Sequence, residues 1–212
     1  MLGTLAVLGF ILAAVGGCST PSRSEKSVSI GAVRTAPEPI AAGGNQAVSG
    51  LQARWETDGG KEIHLSELDG RVRLISMFYS TCQGVCLVTS QDMREIEATL
   101  PRVVRERVGF VLVTLDPAHD SASALRSYRR AQGLSPARWT LLRGCAADTD
   151  KLASLLGIAA GPDATGRFVH SSELVILDEA GRILHRHSGT GADLAGIARE
   201  IETAVTGAKA GP

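Results

Sequence analysis

Two long apolar runs, over residues 72–79 and 108–115, dominate the middle of this 212-residue chain. Near-continuous apolar runs of this length are typical of central strands that are buried on both faces. The segment between them has helical spacing, and its expected apolar face is formed by Val88, Met93, Ile96 and Leu100. Pro101 then ends the predicted helix.

A helix, a strand and a second helix are predicted after the second run. Ser121 or Ser123 is expected to cap a helix that ends at about residue 132, next to Gly133. A short strand over residues 139–142 precedes a helix that is capped by Asp148 or Thr149 and ends near residue 157.

The end of the chain predicts an antiparallel hairpin and a closing helix. Residues 174–177 and 182–187 flank the turn sequence Asp178-Glu179-Ala180-Gly181. The closing helix is expected over about residues 192–205, and residues 63–68 predict a short strand or turn before the first run. Because strands alternate with helices early and a hairpin comes late, we expect an α/β fold: an open mixed central sheet with helices on both faces.

The N-terminal segment has the features of an export signal. Residues 2–17 are apolar and uncharged, about as long as a signal-peptide core and short for a transmembrane helix. They end in Val15-Gly16-Gly17-Cys18, which resembles the bacterial lipobox. We therefore interpret residues 1–18 as a lipoprotein-type signal peptide whose Cys18 carries a lipid. No Lys or Arg precedes the run, and an ordinary signal peptide or an uncleaved anchor is the alternative.

The rest of the chain divides by composition. Residues 19–50 are rich in Ser, Gly, Ala and Pro, which predicts a flexible tether. Residues 51–206 have a globular pattern, and residues 207–212 are expected to form a disordered tail. This organisation predicts a protein on the periplasmic side of a bacterial cell envelope, held at the membrane by its lipid.

The amino-acid composition excludes some classes of function and structure. The formal net charge is zero and aromatic residues make up 4% of the chain, so the basic stripe and stacking surface of a nucleic-acid-binding protein are missing and no nucleic-acid partner is expected. Four cysteines, at positions 18, 82, 86 and 145, are too few for a disulfide scaffold. Each of them therefore needs its own interpretation.

Cys82 and Cys86 occupy the corner where the first buried strand leads into a helix. Free N–H groups and the helix dipole favour thiolate over thiol there, and a spacing of four residues places both sulfurs on one face. Such a pair can close as a disulfide or bind a soft metal such as Cu(I) or zinc. Two buried core thiols are the alternative.

A third ligand has to come from another segment. His170 lies in the irregular segment 166–171, just before a strand, and loops that enter a sheet often supply ligands. Spacing alone gives His170 only a small advantage over the other four histidines, which are His64, His119, His185 and His187.

Four stretches, taken in order, resemble the Sco/SenC family of copper chaperones for cytochrome c oxidase assembly, over about residues 45–205. They are the C-x-x-x-C sequence after a Phe-Tyr strand end, Thr114-Leu115-Asp116-Pro117 with Asp120-Ser121 following, residues 139–144 (WTLLRG), and residues 170–178 (HSSELVILD) with Gly181.

The resemblance implies a thioredoxin-like fold and copper bound by Cys82, Cys86 and His170. It also implies a cytochrome c oxidase subunit with a copper centre as the partner. For Asp116 it implies a structural role, since Asp-Pro is a turn signal in itself. Tuning of the thiolates, or a hydrogen bond to His170, is the alternative role for Asp116.

The chain departs from the family pattern at three positions. Gln83 and Leu87 stand where the family usually has Pro after each cysteine, which predicts a less rigid loop. Cys145 stands where a small hydroxyl residue is more frequent. We interpret Cys145 as a half-buried small side chain, and a resolving thiol or an extra metal ligand is the alternative.

Two functions compete on these observations. A metallochaperone would take up Cu(I) and deliver it, whereas a thiol–disulfide oxidoreductase would use Cys82 and Cys86 as its catalytic pair. A thiol–disulfide oxidoreductase usually has C-x-x-C spacing and does not require a histidine such as His170. A thiol peroxidase fits less well because Tyr79 occupies the place of the expected Thr, and a structural zinc site would need a fourth protein ligand. Since exported thiols meet an oxidising compartment, we expect a periplasmic thiol reductant as a further partner.

Overall fold

The central feature of the fold is a seven-stranded mixed sheet. The structure is a computed structural model, and it describes residues 47–82, 85–162, 168–188 and 193–207. The described residues contain nine strands, of which all except β6 and β7 belong to this sheet. They are β1 (Trp55–Thr57), β2 (Glu62–Ile63), β3 (Val72–Phe78), β4 (Val108–Thr114), β5 (Trp139–Arg143), β6 (Ala160–Pro162), β7 (Phe168–His170), β8 (Glu173–Leu177) and β9 (Ile183–Ser188). The helices are α1 (Val85–Thr99), α2 (Arg102–Arg105), α3 (Ala122–Ala131), α4 (Ala146–Leu156) and α5 (Leu194–Gly207).

The order of the strands brings three distant segments to one edge of the sheet. The order is β2-β1-β5-β4-β3-β8-β9, with β3, β4 and β5 parallel to each other and β8 antiparallel to β3. Phe78 and Thr114 are paired at the ends of β3 and β4. The residues that follow β3 and β4 therefore lie beside those that precede β8, because parallel strands end at the same edge while an antiparallel neighbour begins there.

Alternate side chains of β3 supply two separate cores. Leu74 and Phe78 are buried with residues of α1, α3 and α5 on one face of the sheet. Ile75 and Met77 are buried with residues of α4 on the opposite face. This arrangement explains why the strand is apolar at nearly every position, and it confirms the predicted α/β fold with helices on both faces.

Most of the predicted elements are confirmed. The two apolar runs form β3 and β4, and the hairpin of β8 and β9 turns through Gly181, whose φ of 71° requires the freedom of glycine. Ser121 caps α3, because its hydroxyl accepts the N–H of Ala124 at 3.3 Å.

Two helix predictions are wrong in detail. Val88 is 39% exposed, whereas Met93 and Ile96 are fully buried. Val88 precedes Met93 by five residues, which places the two side chains about 140° apart around the helix axis. Helix α4 is capped by Cys145, whose carbonyl accepts the N–H of Thr149 at 2.9 Å, and not by Asp148 or Thr149.

The boundaries of the folded domain also differ from expectation. Val48 is buried and donates its N–H to the carbonyl of Gly181 at 2.9 Å, so residues 47–50 belong to the fold and not to the tether. Gly207 is the last residue of α5 and not the first of the tail. The predicted signal peptide, Cys18 and the remainder of the tether lie outside the described residues. Within the described ranges, no helix is long and apolar enough to cross a membrane.

The short strand or turn predicted over residues 63–68 is confirmed, whereas the strands β6 and β7 are not predicted by the sequence pattern. Residues 63–68 hold the end of β2 and a 3₁₀ turn, Leu65–Leu68. Strands β6 and β7 form a separate two-stranded ribbon. His170 is consequently the last residue of a strand, and the prediction that it lies in an irregular segment is wrong.

Candidate metal centre

Cys82 lies in a turn between the end of β3 and the start of α1. Its N–H donates to the carbonyl of Tyr79 at 3.1 Å, and only 8% of the residue is exposed. The sulfur side chain packs in the core that α1, α3 and α5 share with the sheet. Because α1 begins at Val85, Cys82 lies just before a helix N-terminus, where a thiolate is favoured. The backbone of Cys86 belongs to the first turn of α1, and its side chain lies outside the described residues.

His170 contacts the same turn through an aromatic ring. The imidazole meets the ring of Tyr79 edge-on, with 5.8 Å between the ring centroids. Its Nδ1 lies 2.7 Å from the carbonyl oxygen of Ser171, an arrangement in which Nδ1–H donates and metal coordination falls to Nε2. Burial lowers the pKa of His170 below its usual value, against an opposing effect of the Ser171 carbonyl. A lowered pKa maintains the neutral imidazole, which is the form that binds metals.

A buried hydroxyl pair joins the segment after His170 to α1. Thr89 and Ser172 are both buried, and their hydroxyl oxygens lie 2.7 Å apart. Thr89 follows Cys86 by three residues and so belongs to the next turn of the helix. The contact therefore fixes the start of α1 relative to the end of β7.

Asp120 is the buried acid of this edge of the sheet. Its carboxylate accepts the N–H of Ser80 at 2.9 Å and the hydroxyl groups of Ser80 and Thr114. Asp116, by contrast, has a partly exposed side chain that lies 2.8 Å from Nδ1 of the exposed His119. The backbone carbonyl of Asp116 accepts the N–H of Asp120 at 2.9 Å, as expected of a turn residue.

Glu173 is a second buried acid, at the start of β8. Its backbone carbonyl accepts the hydroxyl of Ser76 at 2.6 Å, and its carboxylate accepts the hydroxyl of Ser188 at 2.6 Å. Burial raises the pKa of Glu173 above its usual value, although the Ser188 hydroxyl opposes the shift. Glu173 thus ties β8 to both of its neighbours, β3 and β9.

The remaining candidate residues make contacts elsewhere. The backbone of His64 pairs with Glu67, and His187 lies 2.7 Å from Glu200, a residue of α5 that His185 also approaches at 3.7 Å. Among the side chains that the structure describes, no three His, Cys, Asp or Glu groups stand together in a metal-binding arrangement. The complete set of Cys82, Cys86 and His170 lies partly outside that description, since it includes the side chain of Cys86.

Cys145 lies between the end of β5 and the start of α4, and it is the N-cap residue of that helix. The residue is half-buried and disulfide-bonded, and its Sγ lies 3.1 Å from Oδ2 of Asp148 in the first turn of the helix. Gly144, the residue before it, packs against Trp55 so closely that a Cβ would lie 2.7 Å from the indole ring. The strand end that carries Cys145 is therefore tightly packed.

Three residues that support this site, Tyr79, Thr89 and Asp120, are not predicted from the sequence in that role. Position offers a signal for Asp120, since an acid just before a helix cap and after a buried strand is placed to accept hydrogen bonds at a sheet edge. No local pattern reveals the contacts of Tyr79 and Thr89, because both depend on residues that lie more than 80 positions away.

The fold and the candidate site define a class: a thioredoxin-like α/β protein with a C-x-x-x-C sequence at the first strand-to-helix corner and a histidine beside it. Comparison with known proteins agrees. A profile of the SCO1/SenC family matches residues 51–206. The chain belongs to the SCO1/SenC family.

Curated relatives share short or moderate similarity with the chain. A protein from Stutzerimonas stutzeri whose name describes it as copper-binding is 34% identical over 61 residues, which are 29% of this chain and 30% of that relative. The chain thus matches less than a third of that relative's length. The SCO1 protein homolog of Bacillus subtilis (strain 168) is 22% identical over 138 residues, 64% of this chain and 71% of the relative.

Solved structures share the fold at low identity. A SCO1/SenC family lipoprotein from Bacillus anthracis str. Ames has a TM-score of 0.64 at 20% identity, covering 71% of this chain and 91% of its own. Bradyrhizobium japonicum ScoI with copper bound has a TM-score of 0.60 at 18% identity, with coverage of 72% and 96%. BsSco, described with a disulfide switch and as a member of the Sco family of cytochrome c oxidase assembly proteins, has a TM-score of 0.62 at 21% identity, with coverage of 72% and 91%.

Proposed function

We propose that this protein binds one Cu(I) ion through Cys82, Cys86 and His170 and delivers it to the copper centre of a respiratory cytochrome c oxidase. The observation that carries the proposal is the double contact of Tyr79. Its carbonyl accepts the N–H of Cys82 at 3.1 Å, and its ring meets the imidazole of His170 at 5.8 Å between centroids. One residue thus links the turn of the first ligand to the side chain of the third.

The donor set suits Cu(I). Thiolates are soft ligands that select Cu(I) or zinc over hard cations, and imidazole binds both metals. Three protein ligands complete a trigonal site for Cu(I), whereas a structural zinc site normally takes four. Copper is here the cargo of the protein, and a three-ligand site allows a partner's ligand to attach before the others detach.

The comparisons support copper and the oxidase as the cargo and its destination. The chain shares its family with proteins named for copper binding and for cytochrome c oxidase assembly, and its fold with ScoI with copper bound. The role of Cys82, Cys86 and His170 in this chain rests on the site chemistry together with the family resemblance.

A thiol-redox function of the same pair is the second candidate. It is favoured by the thioredoxin-like fold and by the disulfide switch described for BsSco. In this role Cys82 or Cys86 would attack a disulfide between the copper-ligand cysteines of a partner, and a periplasmic reductant would restore the pair. The same reductant would be needed before copper loading, so the two functions share one requirement.

The ligand role of His170 is tested by the change His170→Ala. Purified reduced protein is expected to bind one Cu(I), and X-ray absorption should show two sulfur ligands and one nitrogen ligand. In the variant the nitrogen contribution should disappear and the affinity for Cu(I) should fall, because two thiolates alone remain.

His119→Ala is the matched control, since His119 is exposed and contacts Asp116. It should leave both the absorption spectrum and the affinity unchanged. A nitrogen ligand that persists in the His170 variant, or a fourth strong ligand in the wild-type protein, would show that the proposed ligand set is wrong.

We further propose that Cys18 carries a lipid that holds the protein at a bacterial membrane, facing the periplasm. The Val-Gly-Gly-Cys sequence at the end of the apolar run supports this, as does the description of the Bacillus anthracis family member as a lipoprotein. Cys18→Ser is expected to release the domain from the membrane fraction or to block processing, because the acylated thiol is lost. Unchanged membrane fractionation together with an unchanged mass would rule the anchor out.

A further inference from the structure

We infer that Asp120 is the positioning residue that holds Cys82 in its metal-binding arrangement, through hydrogen bonds to Ser80. The inference rests on the proposed function, in which Cys82 is a copper ligand. It assigns a role to an acid that is only 1% exposed and is not itself one of the proposed ligands.

The carboxylate of Asp120 joins the ends of two parallel strands. Oδ2 accepts the N–H of Ser80 at 2.9 Å and also the hydroxyl of Thr114, the last residue of β4, while Oδ1 accepts the hydroxyl of Ser80. Ser80 lies two residues after β3 and two before Cys82. The carboxylate thus restrains Ser80 from two directions, through its backbone and its side chain.

Asp120 is itself fixed from the opposite side. Its N–H donates to the carbonyl of Asp116 at 2.9 Å, and the N–H of Asp116 donates to the Thr114 hydroxyl at 3.0 Å. Ser121, the next residue, is the cap of α3. Since a helix cap and a central strand hold it, Asp120 provides a rigid support for the Cys82 turn.

The hydrogen bonds between Asp120 and Ser80 also affect the positions of Cys82 and His170. Ser80 is inside the turn that the Cys82–Tyr79 hydrogen bond closes, and the ring of Tyr79 contacts His170. Hydrogen bonds to Asp120 therefore stabilise the turn that leads to Cys82 and contacts His170.

Removing the carboxylate would leave the Ser80 N–H and two hydroxyl groups without their acceptor, which favours relaxation of the turn. The change Asp120→Ala tests this. In reduced, copper-free protein, the rate at which iodoacetamide labels Cys82, followed by mass spectrometry of its peptide, is expected to rise by about tenfold or more. Cu(I) affinity, measured by competition with a chromophoric chelator, should fall about 10- to 100-fold, the usual effect of losing a residue that supports a metal ligand.

Asp120→Asn separates position from charge. The amide oxygen can accept from the Ser80 N–H and the Thr114 hydroxyl, and the amide nitrogen can donate to the Ser80 oxygen. The variant should therefore restore slow labelling of Cys82 and near wild-type Cu(I) affinity. If it behaves like Asp120→Ala, the negative charge and not the position is what matters, and the inference is overturned.

Asp58→Ala is the matched control for loss of a buried acid. Asp58 is 7% exposed and forms an ion pair with Arg129 at the end of β1, with β5 and β4 between that strand and β3. It is expected to lower the thermal stability without changing the labelling of Cys82 or the Cu(I) affinity. Equal effects of the Asp58 and Asp120 variants would reduce Asp120 to a general contribution to stability and overturn the inference.

Labelling of Cys82 and Cu(I) affinity are separate measurements, so the failure of this inference can be distinguished from the failure of the proposed function. If wild-type protein binds no Cu(I), the proposed function fails, whereas Cys82 labelling still decides whether Asp120 positions the turn. If Asp120→Ala does not fold, Ser80→Ala removes one of the three hydrogen bonds and should raise labelling by about fivefold, the equivalent of one typical net hydrogen bond. Labelling at the wild-type rate in a folded Asp120→Ala or Ser80→Ala variant would contradict the inference.

Discussion

Replacing Cys82 with serine or alanine is expected to abolish stoichiometric Cu(I) binding, the largest effect of any single change in this protein. Serine substitutes a hard hydroxyl for a soft thiolate, and alanine removes the donor altogether. His170 and Cys86 are then the only remaining members of the proposed ligand set. Copper content per protein, measured after gel filtration against a competing chelator, should fall to the background level in both variants.

The pair of variants separates ligand loss from unfolding. Cys82 packs in a core with 8% of the residue exposed, so serine places a polar group there at a cost of about 1–3 kcal/mol of unfolding free energy. Alanine avoids that cost. Ser76→Ala is the matched control, since it removes a buried hydroxyl contact from β3, the strand that precedes the Cys82 turn, without touching the ligands. Copper binding at the wild-type level by Cys82→Ala would refute the site.

Oxidation of the Cys82–Cys86 pair is expected to exclude copper completely, and bound Cu(I) is expected to prevent that oxidation. Disulfide formation removes two electrons and two protons from the thiols and needs an acceptor such as oxidised glutathione. It brings the sulfurs to about 2 Å from each other and removes two of the three proposed ligands at once. Cu(I) in turn occupies the sulfur lone pairs that would attack the oxidant.

The measurement is thiol alkylation with mass spectrometry on copper-free and Cu(I)-loaded protein after exposure to oxidised glutathione. Copper-free protein should yield a linked peptide pair that contains Cys82 and Cys86, and the loaded protein should yield both cysteines alkylated. The Cys145→Ser variant, examined in parallel, shows whether the third cysteine of the domain takes part. Tight Cu(I) binding by the oxidised protein would show that loading and oxidation are independent.

The fold was predictable where a single physical requirement determines the pattern. Strands β3 and β4 are buried on both faces, so their sequences are apolar throughout, and Ser121 marks the start of α3 through its own hydroxyl. The ribbon of β6 and β7 and the strand β1 were not predictable, because three-residue strands carry no period. Val88 was assigned to the wrong face because an apolar residue at the edge of a helical stripe resembles a member of it.

For the candidate site, the sequence predicts a set of proposed ligands but not the residues that support them. Cys82 and Cys86 could be proposed from the helix N-terminus alone, but His170 was separated from four other histidines only by the family resemblance. The supporting contacts remained hidden, since the partners Thr89 and Ser172 are 83 positions apart in the sequence. Hydrogen bonds of this kind depend on the order of strands in the sheet, which local periodicity does not encode.

In the proposed copper site, the burial of Cys82 restricts the directions from which the metal can be reached. One side of its sulfur faces a closed hydrophobic core, through which neither a hydrated ion nor a partner's ligand can pass. His170, whose imidazole contacts the Tyr79 ring of the same turn, is half-buried. In the proposed function, a partner's ligand therefore has to approach the copper from the solvent side of the turn and not through the core.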